Sequence, residues 1–185
     1  DELMKNGLVF SSSEATVNGW EGVNIIQGNE NNTLITATNS ANNIVYAGAG
    51  DKTITTGTGN DTIYAGTGNN HLIGGHGSDT YVFSKGHGQD VIGDIGYLSE
   101  RDTDTIHFTD VTSTEVKFAR SGNNLILFGY NGNNQITIEH FFYGSPYAIE
   151  VFEFADKTIS YDELLKTSIP DFTAEDQASL VAAQA

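Results

Sequence analysis

Residues 47–82 read AGAGDKTIT, TGTGNDTIY, AGTGNNHLI and GGHGSDTYV, four nine-residue units in unbroken phase. Each unit has glycine at its second and fourth positions, Lys52, Asp61, Asn70 or Asp79 at its sixth, and Ile54, Ile63, Leu72 or Tyr81 at its eighth. Glycine enters left-handed backbone conformations at no steric cost, so two fixed glycines in nine residues describe a tight turn followed by a very short strand.

The phase extends on both sides. Backward, the eighth position falls on Ile44, Leu34 and Ile25; forward it reaches Ile92. This reading needs one extra residue after Leu34, one after Ile44 and two after Tyr81, and it places eight units between Asn18 and Gly93. The first three units lack the fourth-position glycine and carry Val23, Asn32 and Asn42 at the sixth. Nine residues cannot close a coil of two strands and two turns, whereas eighteen can. Alternate units are therefore expected to stack, with Ile25, Ile44, Ile63 and Tyr81 lining one parallel sheet and Leu34, Ile54, Leu72 and Ile92 the facing one. Roughly one apolar side chain in nine is a thin core against the ordering entropy of the rest, so the turns need another source of stability.

Beyond Tyr81, the stretch FSKGHGQDVIGDIGYLSERDTDTIHF leaves the roll, and the period changes to two. KFARSG, NLILFGY, QITIEHF and IEVFEFADKTIS read as antiparallel strands, with turns at Asn123-Asn124, residues 129–132 and Asp156-Lys157. Ser160 with Glu163 and Thr173 with Asp176 have capping-box spacing for two short helices, separated by Pro170. The expected fold is all-β: a short parallel β-roll followed by a β-rich flanking domain with short C-terminal helices. The expected division is a lead-in or cap over 1–17, the roll over 18–93, a flanking and capping domain over 94–170, and a tail over 171–185.

Composition points to a cation. The 24 acidic residues outnumber the 8 basic ones, for a formal net charge of −16. Nucleic acid is excluded as a partner, because phosphate recognition needs clustered Lys and Arg, and a multivalent cation is favoured because it relieves self-repulsion. Cysteine is absent, which removes disulfides and thiol chemistry. The opening DELMKNGLVF shows neither an initiator Met nor a signal-peptide pattern, so the chain reads as part of a longer protein.

Calcium takes six to eight oxygens, mixing carboxylates with backbone carbonyls. Glycine turns aim carbonyls inward and the sixth position adds charge. Asp61 and Asp79, eighteen residues apart on the same side, make the best pair. Asn70 and Asp90 form a second pair, with an amide in place of one carboxylate and the insertion after Tyr81 between them. Lys52 departs from the pattern: an ammonium at a metal position excludes calcium and replaces it electrostatically. No ion is expected between the turns bearing Asn32, Lys52 and Asn70.

The nonapeptides, the exit SDTYVFSKGHGQDVI and the block from DTIHF to FEFADKTIS together resemble the RTX family of type I-secreted proteins, including the haemolysin-type calcium-binding-related region that follows such repeats. The resemblance covers most of the chain. It implies one site from Gly57, Gly59 and Asp61 with Gly74, His76 and Asp79. A second would use Gly66, Gly68 and Asn70 with Lys85, His87 and Asp90, where Lys85 and His87 act through backbone oxygen. A third, Thr38, Ser40 and Asn42 with Thr56, Thr58 and Asp61, has one carboxylate. The resemblance further implies Ca2+ as cofactor, passage of the unfolded chain through the type I secretion machinery, folding on calcium outside the cell, and a secretion signal near SLVAAQA. A toxin-like parent is expected. An adhesin, or the accessory module of a secreted lipase, protease or alginate-modifying enzyme, would use such a module alike, and membrane or host-surface contact would belong to other parts of the full protein.

Other features have plainer readings. His71, His76, His87, His107 and His140 sit in no zinc-ligand spacing. Phe141, Phe142 and Tyr143 read as buried, Glu150, Glu153 and Asp156 as a solvated strand face, and Trp20 as a cap on the roll. No nucleophile–base pair or phosphate loop is present, so catalysis is not expected within these residues.

Overall fold

The computed structural model describes residues 8–9, 14–16, 24–31, 33–37, 40–95, 102–144 and 146–183. The first ten strands are β1 (Leu8–Val9), β2 (Glu14–Thr16), β3 (Asn24–Gln27), β4 (Leu34–Thr36), β5 (Asn43–Tyr46), β6 (Thr53–Gly57), β7 (Thr62–Tyr64), β8 (His71–Gly75), β9 (Thr80–Phe83) and β10 (Gln89–Ile92). They alternate strictly between two parallel sheets, odd strands in one and even strands in the other, so that two nonapeptides make each coil. Strands of two to five residues suffice because each half-coil has only about nine residues for a strand and a turn.

One row of inward side chains runs Ile26, Val45, Ile63 and Tyr81, stacked in register. The facing row runs Ile35, Ile54, Leu72 and Ile92. All eight are 0 % exposed. The rows correct the expectation in the degenerate units, where Ile25, Leu34 and Ile44 are only partly buried and the residue after each points inward. The reason is economical: the observed phase has a single extra residue, between Ile35 and Val45, where the expected one required two. Alternation in a strand turns a one-residue error into the opposite face. Trp20 lies outside the described residues.

The flanking region does not fold apart from the roll. β11 (Thr105–Phe108) continues the odd sheet beside β9, with Ile106 over Tyr81, and β15 (Val151–Glu153) follows beside β11, with Phe152 over Ile106. β14 (Gln135–Ile138) continues the even sheet parallel to β10. The expected boundary at residue 93 is thus crossed by both sheets. Antiparallel pairing appears as foreseen for β12 (Lys117–Ser121) with β13 (Asn124–Phe128), β13 with β14, and β15 with β16 (Thr158–Ser160). These hairpins close one end of each eight-stranded sheet. The end is rich in aromatic contacts, among them Phe108 stacked on Phe154 at 5.1 Å.

Helices Tyr161–Leu165 and Ala174–Ala182 begin at complete capping boxes on Ser160 and Thr173. Neither they nor any other described helix is long and apolar enough to cross a membrane. Of the aromatic run, Phe141 is buried as expected, whereas Tyr143 is 61 % exposed and stacks on His140.

Close stacking of the turns explains their glycines. Gly66 has φ +71°, and a methyl group there would overlap the Gly48 carbonyl of the preceding coil. Gly122, in the β12–β13 turn, has φ +61° with open space around it. Gly122→Ala is expected to cost about 1–2 kcal/mol through backbone strain alone. Gly66→Ala is expected to cost at least about 1 kcal/mol more through overlap. Urea unfolding of both variants in saturating calcium checks this, and equal losses would contradict the packing argument.

Candidate metal centre

From β5 to β10 a buried position-six side chain stands at or just before the start of each strand. Asn43, Lys52, Asp61, Asn70, Asp79 and Asp90 are all at most 3 % exposed. Their backbone N–H groups are buried with them and need acceptors. Side-chain oxygens one coil later provide them. On the odd edge the Asn43 N–H donates to Asp61 Oδ1 at 2.6 Å, the Asp61 N–H to Asp79 Oδ1 at 2.7 Å, and the Asp79 N–H to Asp104 Oδ1 at 2.8 Å. The Asp104 N–H then donates to Glu150 Oε2 at 2.8 Å. On the even edge the Lys52 N–H donates to Asn70 Oδ1 at 3.1 Å and the Asn70 N–H to Asp90 Oδ1 at 2.7 Å. The odd-edge residue equivalent to Asp61 is therefore Asn43, not the expected Asn42; Val23 and Asn32 lie outside the described residues.

Position five runs a second ladder in the opposite direction. The Asn60 N–H donates back to Asn42 Oδ1 and the Ser78 N–H to Asn60 Oδ1, both at 2.9 Å. On the even edge the Asn69 N–H donates to Asp51 Oδ1 at 2.7 Å and the Gln89 N–H to Asn69 Oδ1 at 2.9 Å. From Asn42 to Asp104, adjacent residues thus tie the described coils to their neighbours in both directions.

What fills the space inside each turn differs from level to level. Asn43 Nδ2 donates to the Ala41 carbonyl at 2.9 Å and to Asp61 Oδ1 at 2.8 Å. Lys52 Nζ donates to the carbonyls of Ala49 and Gly50. Asn70 Nδ2 donates to Ala65 O, Gly68 O and Asp90 Oδ1 at 3.1, 3.3 and 2.9 Å. The fully buried His87 places Nδ1 2.5 Å from Asp90 Oδ2 and Nε2 3.0 Å from the Tyr130 hydroxyl. At these levels nitrogen atoms sit against the oxygens a cation would use.

The first expected set is dispersed among other contacts. The Gly57 carbonyl accepts the His76 N–H at 2.9 Å, and the Gly74 carbonyl accepts the Thr56 hydroxyl at 2.7 Å. Asp61 Oδ2 accepts the Gly57 N–H at 3.2 Å. Gly59 packs so closely on Ala41 that a methyl group would overlap its carbonyl. Of the second set, Gly66 and Gly68 lie in the turn whose interior Asn70 fills, and the Gly68 N–H donates to the His87 carbonyl at 2.9 Å. His87 was expected to act through that carbonyl alone; its ring instead engages Asp90, because Tyr130 reaches in from the flanking strands to meet it. Lys85 is drawn outward, its N–H to Asp110 and its ammonium to Glu115 at 2.7 Å. Thr38 of the third set lies outside the described residues.

Among the described residues one group of three metal-ligating side chains closes to metal-binding distance: Asp79, Asp94 and Asp104. One carboxylate oxygen from each lies within 4.8 Å of the others. They are 0, 5 and 4 % exposed. Asp94 Oδ1 is held by the N–H groups of Gly75 at 2.8 Å and Ile95 at 2.9 Å. The other oxygens of Asp79 and Asp94 are buried with no hydrogen-bond partner. Gly74 lets the Asp79 carboxylate and the Tyr81 hydroxyl pack against its backbone, where a methyl group would overlap both. Oxygen donors alone, with no Cys or His among the three, suit a hard cation such as Ca2+ rather than zinc.

Electrostatics agree. Burial, reinforced by the charge of Asp94, pushes the Asp79 carboxyl up to about 9. Burial and then Asp94 push Asp104 up to about 8, with Glu150 and Asp102 adding to it. Burial also raises Asp94, Glu150 and the Tyr81 phenol. Glu150 is therefore part of this acidic centre and not of a solvated strand face. Asp61 is raised by burial as well, but hydrogen bonds from Asn43, Thr56 and Gly57 oppose the rise.

Asp94 and Asp104 are absent from the residues singled out by sequence. A signal for Asp104 exists: Asp104-Thr105-Ile106 repeats Asp61-Thr62-Ile63 and Asp79-Thr80-Tyr81. It is displaced because the step from Asp79 is 25 residues where the step from Asp61 is 18.

Two outcomes follow. A carboxyl whose folded-state pKa lies above its ordinary 3.8 binds more protons folded than unfolded. The metal-free chain should then be most stable below that value and lose stability as the pH rises through about 8 to 9. Melting temperatures in chelator should fall between about pH 5 and pH 9, whereas with calcium, which needs the ionised carboxylates, they should not; a flat profile in chelator would refute the point. Separately, Lys52→Met removes the ammonium hydrogen bonds to the carbonyls of Ala49 and Gly50, in exposed residues, and should cost about 1–3 kcal/mol. Denaturant titration should show the same loss with and without calcium; a loss confined to calcium would show that Lys52 acts through a metal.

Comparison with known proteins places the geometry. The family model described as RTX calcium-binding nonapeptide repeat (4 copies) matches residues 37–70 and 55–90. That described as Haemolysin-type calcium binding protein related domain matches residues 124–159. The iron-regulated protein FrpA of Neisseria meningitidis serogroup C is 34 % identical over 82 residues, which are 44 % of this chain and 7 % of that protein. The chain therefore spans a small part of that relative's length. A stack of glycine-turned nonapeptides, a buried acidic centre built of oxygen donors, and both matches agree: this chain carries the calcium-binding nonapeptide repeats of the RTX family joined to the haemolysin-type calcium-binding-related domain, and its cation is Ca2+.

Proposed function

We propose that this chain is the calcium-responsive module of a secreted, toxin-like RTX protein, exported unfolded through the type I machinery and folded outside the cell by calcium. The observation that carries this reading is the set of buried carboxylates, Asp79, Asp94 and Asp104, whose strongest electrostatic neighbours are themselves negative. Such a centre opposes folding without a cation and favours it with one. The net charge of −16 acts in the same direction over the whole surface.

Magnitudes make the switch workable. With a dissociation constant of about 10⁻⁴ M, in the range of extracellular calcium modules, a site gains about 1.4 kcal/mol from about 1 mM calcium. At cytosolic calcium the same site gains almost nothing. Relief of repulsion among the buried carboxylates adds to the difference, so a marginal chain stays open inside the cell and closes outside. The module has a folding role and no catalytic one; any activity belongs to other parts of the full protein.

Calcium titration followed by far-ultraviolet circular dichroism tests the reading. The β signal is expected to appear over the submillimolar to millimolar range and to be lost in excess chelator. A chain equally folded in chelator and in millimolar calcium would remove the basis of the proposal.

A further inference from the structure

We propose that Asp79, Asp94 and Asp104 form a calcium site at the seam between the repeats and the flanking strands, and that this ion is what couples the two. The inference rests on the calcium-dependent folding proposed above and goes beyond it in naming the ligands and their consequence. Neither matched region contains the site. Asp79 lies inside the repeats at 37–90, but Asp94 and Asp104 fall after them and before the domain matched at 124–159.

Three observations converge. Asp79 and Asp94 each bury one unpartnered oxygen, and one carboxylate oxygen from each of Asp79, Asp94 and Asp104 lies within 4.8 Å of the others. Each carboxylate is positioned by backbone that a passing ion would not organise: Asp79 Oδ1 receives the Asp61 N–H, Asp94 Oδ1 the Gly75 N–H and Asp104 Oδ1 the Asp79 N–H. Asp79 and Asp94 therefore each have one oxygen fixed by the fold and one left for a ligand. Finally, the levels filled by Asn43, Lys52, Asn70 and His87 already hold a nitrogen donor against the turn oxygens. Among the described residues the seam is where carboxylates meet with no such nitrogen between them.

The placement gives the ion leverage over the C-terminal half. Asp104 immediately precedes β11, whose Thr105 N–H donates to the Asp79 carbonyl at 2.8 Å. The Asp104 carbonyl accepts the N–H groups of Glu150 at 3.0 Å and Val151 at 3.1 Å at the start of β15. Glu150 Oε2 in turn accepts the Asp104 N–H. An ion drawing Asp104 toward Asp79 and Asp94 therefore seats β11 on the roll, and β15 and β16 with it. Without it, the three carboxyls stay together only by taking up protons or by bearing mutual repulsion, and β11 is seated less firmly.

The test uses the full chain with Asp94→Asn and Asp104→Asn together. Amide oxygens keep the acceptor roles toward Gly75 and Asp79 while the charges go. Bound calcium measured by atomic emission after equilibrium dialysis should fall by one ion per chain, and the calcium midpoint for folding should rise at least tenfold. Hydrogen exchange at β11 and β15 in calcium should become insensitive to the ion. In chelator the variant should be at least as stable as the parent, since repulsion has been removed. Asp61→Asn, whose oxygens are already engaged, should keep the full ion count. An unchanged count and midpoint in the double variant would overturn the proposal. So would a variant destabilised equally in chelator and in calcium, which would show the carboxylates acting only as acceptors. A parent chain that binds no calcium would instead defeat the broader functional reading.

Discussion

The structure depends on an accounting of backbone amides at the turns. A nine-residue unit is too short to carry its own turn hydrogen bonds, so the N–H groups that open each strand are buried without a local acceptor. Oxygen-bearing side chains from the neighbouring coils meet that need, position six reaching one way and position five the other. An unmet buried amide costs about 1–3 kcal/mol. That penalty, repeated at most of the described levels, favours Asn, Asp or Ser where a larger domain would use hydrophobic residues, with Lys52 the exception. The two apolar rows between the sheets supply burial, but the ladders set the register.

The ladders also create the charge problem that calcium answers. An asparagine in a ladder brings its own amide donor, which turns back onto the turn carbonyls, as Asn43 and Asn70 do. Lysine 52 does the same with an ammonium. An aspartate accepts equally well but brings a charge and no donor. Asp61 and Asp90 have that charge met by neighbours, from Gly57 and Asn43 in one case and Asn70 and His87 in the other. At Asp79, Asp94 and Asp104 burial and mutual repulsion accumulate. The proposed seam site would thus draw on carboxylates concentrated in one stretch of a stack whose ladders combine amide and carboxylate acceptors.

Much of this was legible in the chain. The period of nine, the pairing of alternate units, the inward row from Ile54 through Ile92, the antiparallel hairpins and both capping boxes follow from residue types at fixed spacing. Lys52 marked the level whose turn carbonyls an ammonium contacts. The misreadings came from insertions. In the degenerate units two phases fit the apolar pattern almost equally, and burial chose Ile26, Ile35 and Val45 over Ile25, Leu34 and Ile44. The expected break at residue 93 failed for a related reason. A change of period from nine to two looks like a new domain, yet β11, β14 and β15 lie on the same two sheets.

The sequence by itself determined the architecture and the chemistry of the turns, because both follow from short-range rules: glycine for the backbone reversal, an oxygen at the sixth position, an apolar residue at the eighth. Only the tertiary structure decided which coils are neighbours, and therefore which carboxylates meet. Asp104 stacks on Asp79 across 25 residues while Asp79 stacks on Asp61 across 18, and Asp94 arrives from the turn after β10. A ladder bond depends on spatial adjacency and is indifferent to the length of chain looped out between its partners. A local period has no access to that length, so the acidic centre becomes visible only once the coils are stacked.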